Sequence, residues 1–167
     1  MAKYLKIGSS GITEEATVGT SAGAGDSGKL ANLDSNGKLD ISFMPTGVGG
    51  DTQTLTAGET LSAGNLVYVN GSGSVLKADA STASKEAVGF VLAGITNAAS
   101  GTVYFGSGII TGLSGLTAGS AYFLSDSTPG SVTATVPSGS GKIVQRVGRA
   151  ISTTVLYFEP QAPVLLV

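Results

Sequence analysis

The sequence of 167 residues contains no cysteine, no histidine and no tryptophan. Without cysteine the chain can form neither a disulfide framework nor a thiolate zinc site. Without histidine it lacks Ser-His-Asp and Cys-His arrangements. The carboxylates occur singly or, at Glu14 and Glu15, as neighbours that a strand would place on opposite faces, which indicates surface charge. We therefore predict that the protein is not an enzyme and has no catalytic residues, no cofactor, no metal site and no small-molecule substrate.

Charged residues are also scarce, at 12% of the sequence, and 9 basic residues nearly balance 11 acidic ones. Such a chain offers no basic patch for a nucleic acid backbone, so we expect no nucleic acid partner. Two interpretations of the low charge remain open. The surface is either packed against copies of a partner or is a threonine-rich β surface exposed to water.

Long hydrophobic runs are missing as well. The longest apolar run, over residues 87–95, is too short to cross a bilayer. The first residues, MAKYLKIGSSG, lack the apolar run of a secretory signal. We therefore expect a soluble protein with no membrane partner and no export address.

Glycine, in contrast, is abundant at 26 residues, and a glycine-rich stretch over residues 22–45 contains a motif typical of phosphate binding. Gly23, Gly28 and Lys29 fit the spacing G-x-x-x-x-G-K. Such a motif binds phosphate between a buried strand and a helix, and neither is predicted here. Leu30 also occupies the position of the Ser or Thr that would hold Mg²⁺. We interpret the stretch as a flexible glycine-rich segment.

Composition changes near Asp51 and divides the chain into three parts. Residues 1–51 carry isolated hydrophobic residues among Gly, Ser, Asp and Lys, which predicts an extended arm that cannot bury a core of its own. Residues 52–160 carry short apolar runs separated by turn residues, and residues 161–167 form an apolar tail. The predicted fold is all-β: an extended N-terminal arm followed by a small antiparallel β-barrel or sandwich.

The body is predicted to consist of strands about ten residues apart, with glycine at most junctions and no helix of conventional length. The predicted strands cover residues 66–69, 75–78, 87–92, 102–105, 109–111, 121–124, 132–136, 143–150 and 155–158. A weak internal repeat, LSAG at residues 61–64 and LTAG at residues 116–119, favours a body built from two related β-units. Turn chemistry alone remains a second explanation of this match.

Several side chains of the arm and the tail are too apolar for an inert linker. Those of the arm are expected to enter a groove on a partner, and we predict that the arm is disordered in the free protein. For the tail two alternatives remain open: a strand or latch against a neighbouring subunit, or packing back on the body of the same chain. The candidate interface residues are Leu30, Leu33, Leu39, Ile41, Phe43, Met44 and Pro45 in the arm and Val164, Leu165, Leu166 and Val167 in the tail.

Three segments of the sequence resemble those of a known group of proteins. AGAGDSGKLANLDSNGKLDISFMP, followed by TGVGGDT, is similar to the N-terminal regions of tailed-bacteriophage virion proteins. GLSGLTAGSAYFLSDSTPGSVT and GKIVQRVGRAISTTVLYFEP resemble a module shared by phage fibres, baseplate components and capsid decoration proteins. These segments together cover 73 of the 167 residues. With one arm, one compact body and no long shaft, the chain is similar to the capsid decoration (cement) proteins.

The resemblance implies a structural virion protein that binds the outer surface of a phage capsid and stabilises it by clamping neighbouring major capsid subunits. Its partners would be the major capsid protein and further copies of itself in a homotrimer. It would be made in the host cytoplasm and reside on the virion. The alternative that the same module implies is a short head or tail fibre, or a baseplate adhesin, that recognises a host surface.

Overall fold

The computed structural model describes residues 3–8, 11–35, 37–44 and 51–167 of the chain. Strands account for 38% of the residues and helix for 4%, which confirms the predicted all-β fold class. The chain divides into two compact units, Met1–Gly49 and Gly50–Val167, which we name the N-terminal unit and the β body. Asp51, which the sequence analysis placed in the arm, begins the first strand of the β body.

The N-terminal unit contains a β-hairpin that the sequence analysis did not predict. Strands β1 (Lys3–Gly8) and β2 (Gly11–Ala16) pair antiparallel, with Ile7 opposite Ile12. One face of this ribbon carries Leu5 and Ile7 together with Lys3, and the other carries Tyr4 and Lys6. The first part of the expected arm is therefore a paired ribbon.

Beyond the hairpin, the N-terminal unit has little regular structure. Val18 and Ala31 form an isolated parallel bridge, and the Val18 N–H donates to the Leu30 carbonyl oxygen at 2.9 Å. Two single turns of 3-10 helix lie at Gly23–Asp26 and Ile41–Phe43. None of the residues of this unit whose exposure the structure describes is buried, so these residues form no hydrophobic core.

Residues 51–167 of the β body contain twelve strands in two five-stranded sheets and one two-stranded pair. In chain order the strands are β3 (Asp51–Thr56), β4 (Leu66–Val69), β5 (Val75–Lys77), β6 (Gly89–Phe90), β7 (Ser100–Phe105), β8 (Gly108–Ile110), β9 (Ala121–Leu124), β10 (Val132–Thr133), β11 (Ile143–Val144), β12 (Arg146–Ala150), β13 (Leu156–Phe158) and β14 (Val164–Leu165).

The two five-stranded sheets have the same internal strand order. Sheet 1 runs β3-β7-β6-β4-β5 and sheet 2 runs β8-β13-β12-β9-β10, so each sheet places its first, fifth, fourth, second and third strands side by side. All neighbouring strands in both sheets are antiparallel. The matching order supports the prediction that the body is built from two related β-units.

The repeated sequence motif forms the same turn in both halves. The Asn65 N–H donates to the Ser62 carbonyl oxygen, and the Ser120 N–H donates to the Thr117 carbonyl oxygen, each at 3.1 Å. The third residue of each turn is a glycine with positive φ, 84° at residue 64 and 80° at residue 119. Type II turns require this conformation, which explains why both copies of the motif end in glycine.

The main hydrophobic core lies between the two sheets. It includes Leu66 and Phe90 of sheet 1 together with Tyr122 and Phe158 of sheet 2. The rings of Phe90 and Phe158 meet edge to face with their centroids 5.3 Å apart, a geometry that aromatic pairs favour. A second cluster, which includes Val67, lies on the opposite face of sheet 1. The inner strands of sheet 1 are therefore buried on both faces, whereas its edge strand β3 stays largely exposed.

The strands of the structure differ from the predicted ones mainly in length, since the predicted strand 87–92 is reduced to β6 and the predicted strand 132–136 to β10. Strands β4 and β9 match the predictions at both ends. The predicted strand over residues 143–150 is divided at Gln145 into β11 and β12. Strand β3 was not predicted, because its sequence DTQTLT is mostly polar and it lies exposed at the edge of sheet 1.

Candidate interaction surfaces

One face of the N-terminal hairpin presents apolar side chains to solvent. Leu5, Ile7 and Ile12 are 73%, 82% and 68% exposed. The strand register places them on the same face, because Ile7 lies opposite Ile12 and Leu5 lies two residues before Ile7. Sequence reasoning missed these residues, because Lys3, Tyr4 and Lys6 interrupt any regular alternation in β1 and the strand itself was not predicted.

The other face of the hairpin is polar, and its charges compensate each other. Glu15 receives a hydrogen bond from the Tyr4 hydroxyl at 3.1 Å and forms an ion pair with Lys6 at 3.2 Å. These contacts, with Lys6 first, hold the pKa of the Glu15 carboxyl below its usual value. The polar face thus satisfies its own charges. On the opposite face Lys3 and Glu14 form an ion pair at 2.8 Å beside Leu5, and the three apolar side chains remain largely exposed.

The predicted interface residues of the arm are also largely open to solvent. Leu30, Leu33, Leu39 and Met44 are exposed, and Phe43 is half-buried. The backbone of Ile41 begins a turn of 3-10 helix, but its side chain is not among those the structure describes. Pro45 lies outside the described residues.

Within the glycine-rich stretch, the carboxylate of Asp26 binds the groups that a phosphate would need. Asp26 accepts a hydrogen bond from the Ala22 N–H at 2.6 Å and from the Lys29 Nζ at 2.9 Å. The Ala22 N–H first, and Lys29 second, lower the pKa of the Asp26 carboxyl, and the same ion pair raises the pKa of Lys29. The Lys29 charge is therefore neutralised within the segment, which opposes the phosphate interpretation.

The C-terminal tail pairs with its own chain. Strand β14 lies antiparallel to β11, and the Leu166 N–H donates to the Lys142 carbonyl oxygen at 2.8 Å. The backbone thus follows the second alternative of the sequence analysis, packing back on the body. The side chains of Val164, Leu165 and Val167 nevertheless remain exposed, and Leu166 is half-buried.

The β body also has an open cleft of about 530 Å³ between the first turn of each half. Its lining includes Asn65, Tyr122, Ser131 and Thr133, and no charged side chain. The Tyr122 hydroxyl already accepts a hydrogen bond from the Thr117 N–H at 2.9 Å. This lining can offer hydrogen bonds to a polar ligand, but it contains no carboxylate, lysine or arginine that could act as an acid or base.

The described part of the chain contains no group of three or more His, Cys, Asp or Glu residues placed to hold a metal ion. Lys142, which the sequence placed after a glycine-rich loop, forms an ion pair with Asp126 at 2.7 Å. This contact lowers the pKa of the Asp126 carboxyl. Among the described residues, no helix is both long and apolar enough to span a bilayer.

No model of a known protein family matches this chain, and no curated protein matches it.

Proposed function

We propose that this protein is a structural component of a tailed-bacteriophage virion, which binds the outer surface of the capsid and stabilises it by clamping neighbouring major capsid subunits. The observation that carries the proposal is the N-terminal unit. It presents Leu5, Ile7 and Ile12 on one hairpin face and has no buried residue among those whose exposure the structure describes. Such a unit gains its apolar contacts from a partner.

The hairpin suits attachment to a large protein surface. An isolated two-stranded hairpin is at best marginally stable in water, so binding would stabilise it as well as hold it. Burying a Leu or Ile side chain contributes about 1.5–3 kcal/mol, so three such residues supply a substantial binding energy before the cost of ordering the segment. The free edges of β1 and β2 can in addition extend a sheet of the partner.

The same proposal includes self-association into a homotrimer. Several linked attachment sites raise the effective concentration of each, so a weak individual contact still gives lasting occupancy. The low charge of the sequence supports a surface that meets further protein copies, since charged residues make up only 12% of the chain. The protein would be made in the host cytoplasm and incorporated into the virion.

Imaging of virions tests the location. The chain has no cysteine, so a cysteine introduced at the exposed loop residue Ser72 provides a single site for a gold label. We expect label over the head of the virion at regular positions. Label confined to the tail or baseplate would refute the capsid assignment.

A second candidate function is a short fibre or baseplate adhesin that recognises a host surface. The polar cleft of the β body favours it, because uncharged hydrogen-bonding groups such as Asn65 and Ser131 suit a carbohydrate or a peptide backbone. Loss of phage adsorption in a Ser131→Trp variant that still assembles into virions would support this function. Unchanged adsorption would remove it.

A further inference from the structure

The two sheets of the β body carry equivalent faces. Strand β7 of sheet 1 ends with Tyr104 and Phe105, and strand β13 of sheet 2 ends with Tyr157 and Phe158. Neighbouring residues of a strand point to opposite faces, so one face of each sheet carries the tyrosine and the other carries the phenylalanine. We name these the tyrosine face and the phenylalanine face of each sheet.

Strand pairing places the two tyrosines at the same position. Tyr104 lies opposite Phe90 of β6 in sheet 1, and Tyr157 lies opposite Arg149 of β12 in sheet 2. Strands β6 and β12 are the fourth strands of their sheets, and β7 and β13 are the fifth. The two tyrosine faces are thus equivalent surfaces that differ in the residue beside the tyrosine.

Within one chain the sheets contact each other through unlike faces. Tyr104 and Phe90, on the tyrosine face of sheet 1, pack in the core cluster that contains Phe158, on the phenylalanine face of sheet 2. Phe105, on the phenylalanine face of sheet 1, packs against the second cluster instead. The two units of the body are therefore stacked head to tail.

This stacking leaves the tyrosine face of sheet 2 uncovered by the described residues of the β body. Ile109 and Tyr157 lie opposite each other on this face and are 44% and 37% exposed. Arg149 is also exposed, and its guanidinium donates to the Gly119 carbonyl oxygen. Tyrosine and arginine are the residues in which protein interfaces are enriched relative to the remaining surface.

We propose that the tyrosine face of sheet 2 is a self-association surface, which packs head to tail on the phenylalanine face of sheet 1 in a second copy of this chain, at the β3–β7 edge where Asp51 and Gln53 are exposed. The packing inside the chain is the reason for this choice of partner, because there the equivalent tyrosine face is covered by a phenylalanine face. Contacts between two different faces form closed rings when the rotation between successive copies completes a full turn.

The acidic group and the apolar side chains of the receiving face agree with this partner. Strand β3 pairs with β7 and places the exposed Asp51 beside Phe105 on the phenylalanine face of sheet 1. A copy docking its tyrosine face there brings the Arg149 cation toward a surface that carries an acidic group. Leu55 and Phe105 are half-buried on the same face and offer apolar area. This surface would mediate the self-association in the proposed function. The inference rests on the proposed function only for the number of copies.

The mass of the full chain in solution tests the surface. We expect sedimentation velocity to give a multiple of 16.4 kDa for the natural sequence and the monomer mass for the double variant Ile109→Ser/Tyr157→Ser. Val136→Ser, at an exposed valine outside the face, is the matched control and should keep the assembly. Circular dichroism checks that both variants retain their strands. A monomeric natural protein, or an assembly unaffected by the double variant, would overturn the inference.

Cross-linking tests the head-to-tail geometry without disturbing the core. Because the chain has no cysteine, Ala121→Cys and Gln53→Cys each create a single thiol. Ala121 lies opposite Arg149 on the tyrosine face of sheet 2, and Gln53 lies on the phenylalanine face of sheet 1. After equilibration with a short bismaleimide, the mixture should give covalent dimers and each variant alone should not. Dimers of Ala121→Cys alone, or no dimers in the mixture, would contradict the proposal. Capsid binding measured separately distinguishes this failure from failure of the proposed function.

Discussion

The N-terminal unit and the β body place their apolar side chains in opposite ways. In the β body Leu66 and Phe158 are fully buried, whereas in the N-terminal unit Leu5 and Ile7 are more exposed than buried. The body therefore obtains its stability from contacts within the chain. The N-terminal unit leaves its apolar groups available, and this contrast supports the proposal that a partner covers them.

The contrast does not follow from composition alone. The hairpin has Leu, Ile and Tyr at strand positions, as the body does, but only two strands, and two strands cannot enclose a core. In the body, two five-stranded sheets cover each other, so side chains of the same type are removed from water. The number of strands that meet, more than the residues they contain, decides which apolar groups remain for binding.

The largest expected effect is the truncation of Phe158, the largest fully buried side chain of the body. Phe158→Ala removes the edge-to-face contact with Phe90 and leaves a cavity, so we expect the free energy of unfolding to fall by about 3–5 kcal/mol. The matched variant Leu5→Ala, on the exposed hairpin face, should change it by no more than about 0.5 kcal/mol. Urea denaturation followed by circular dichroism measures both. Similar losses of unfolding free energy for the two variants would contradict the contrast between the N-terminal unit and the β body.

A smaller effect is expected where the body is most closely packed. A Cβ added at Gly148 would overlap the Tyr157 carbonyl oxygen and lie 3.2 Å from the Phe158 Cα. We expect Gly148→Ala to cost about 1–3 kcal/mol, because two backbones must separate. Gly25→Ala in the N-terminal unit meets nothing within 4 Å and should be close to neutral. Thermal melts of the two variants measure the difference. Equal losses of stability in the two variants would contradict the expectation.

The smallest effect is the response to acid. The Ala22 N–H and then Lys29 hold the pKa of the Asp26 carboxyl below its usual value. A group of this kind stabilises the fold above its unfolded pKa of about 4 and loses that contribution as the pH falls through its lower folded-state pKa. We expect amide protection in residues 22–29 to weaken as the pH falls below about 4, ahead of the core strands of the body.

Asp26→Asn is the control for the acid response. The amide keeps the size of the carboxyl but does not titrate in this range, so the loss of protection on acidification should disappear. Hydrogen exchange followed by NMR reports on each unit separately. Core strands of the body that lose protection before residues 22–29 would contradict the expectation.

The sequence was sufficient to predict strands whose side chains alternate between buried and half-exposed positions. β9 has this pattern, and its ends are marked by Ser120 and Ser125 next to turns. Strands β1, β2 and β3 lacked a comparable pattern, because they lie at exposed positions where polar and apolar residues are equally compatible with pairing. Their pairing depends on which strand lies alongside, which a single sequence does not state.

The candidate surfaces divide in the same way. Exposed apolar residues such as Leu30, Leu33 and Leu39 could be identified because no periodic pattern accounted for them. The hairpin residues Leu5 and Ile7 could not be identified until the hairpin itself was known. The open face of sheet 2 required the comparison of two sheets in space, since the repeat in the sequence does not say which faces meet.

The most direct measurement is a binding titration of the full chain on undecorated capsids of the parent phage. We expect saturable binding by the natural protein and by Val136→Ser, and a loss of affinity of about a hundredfold or more in Leu5→Ser/Ile7→Ser/Ile12→Ser, because three buried aliphatic contacts are removed. The triple variant should keep the unfolding transition of the β body. Failure of the natural protein to bind, or undiminished binding by the triple variant, would contradict the assignment of the N-terminal unit as the capsid-binding part.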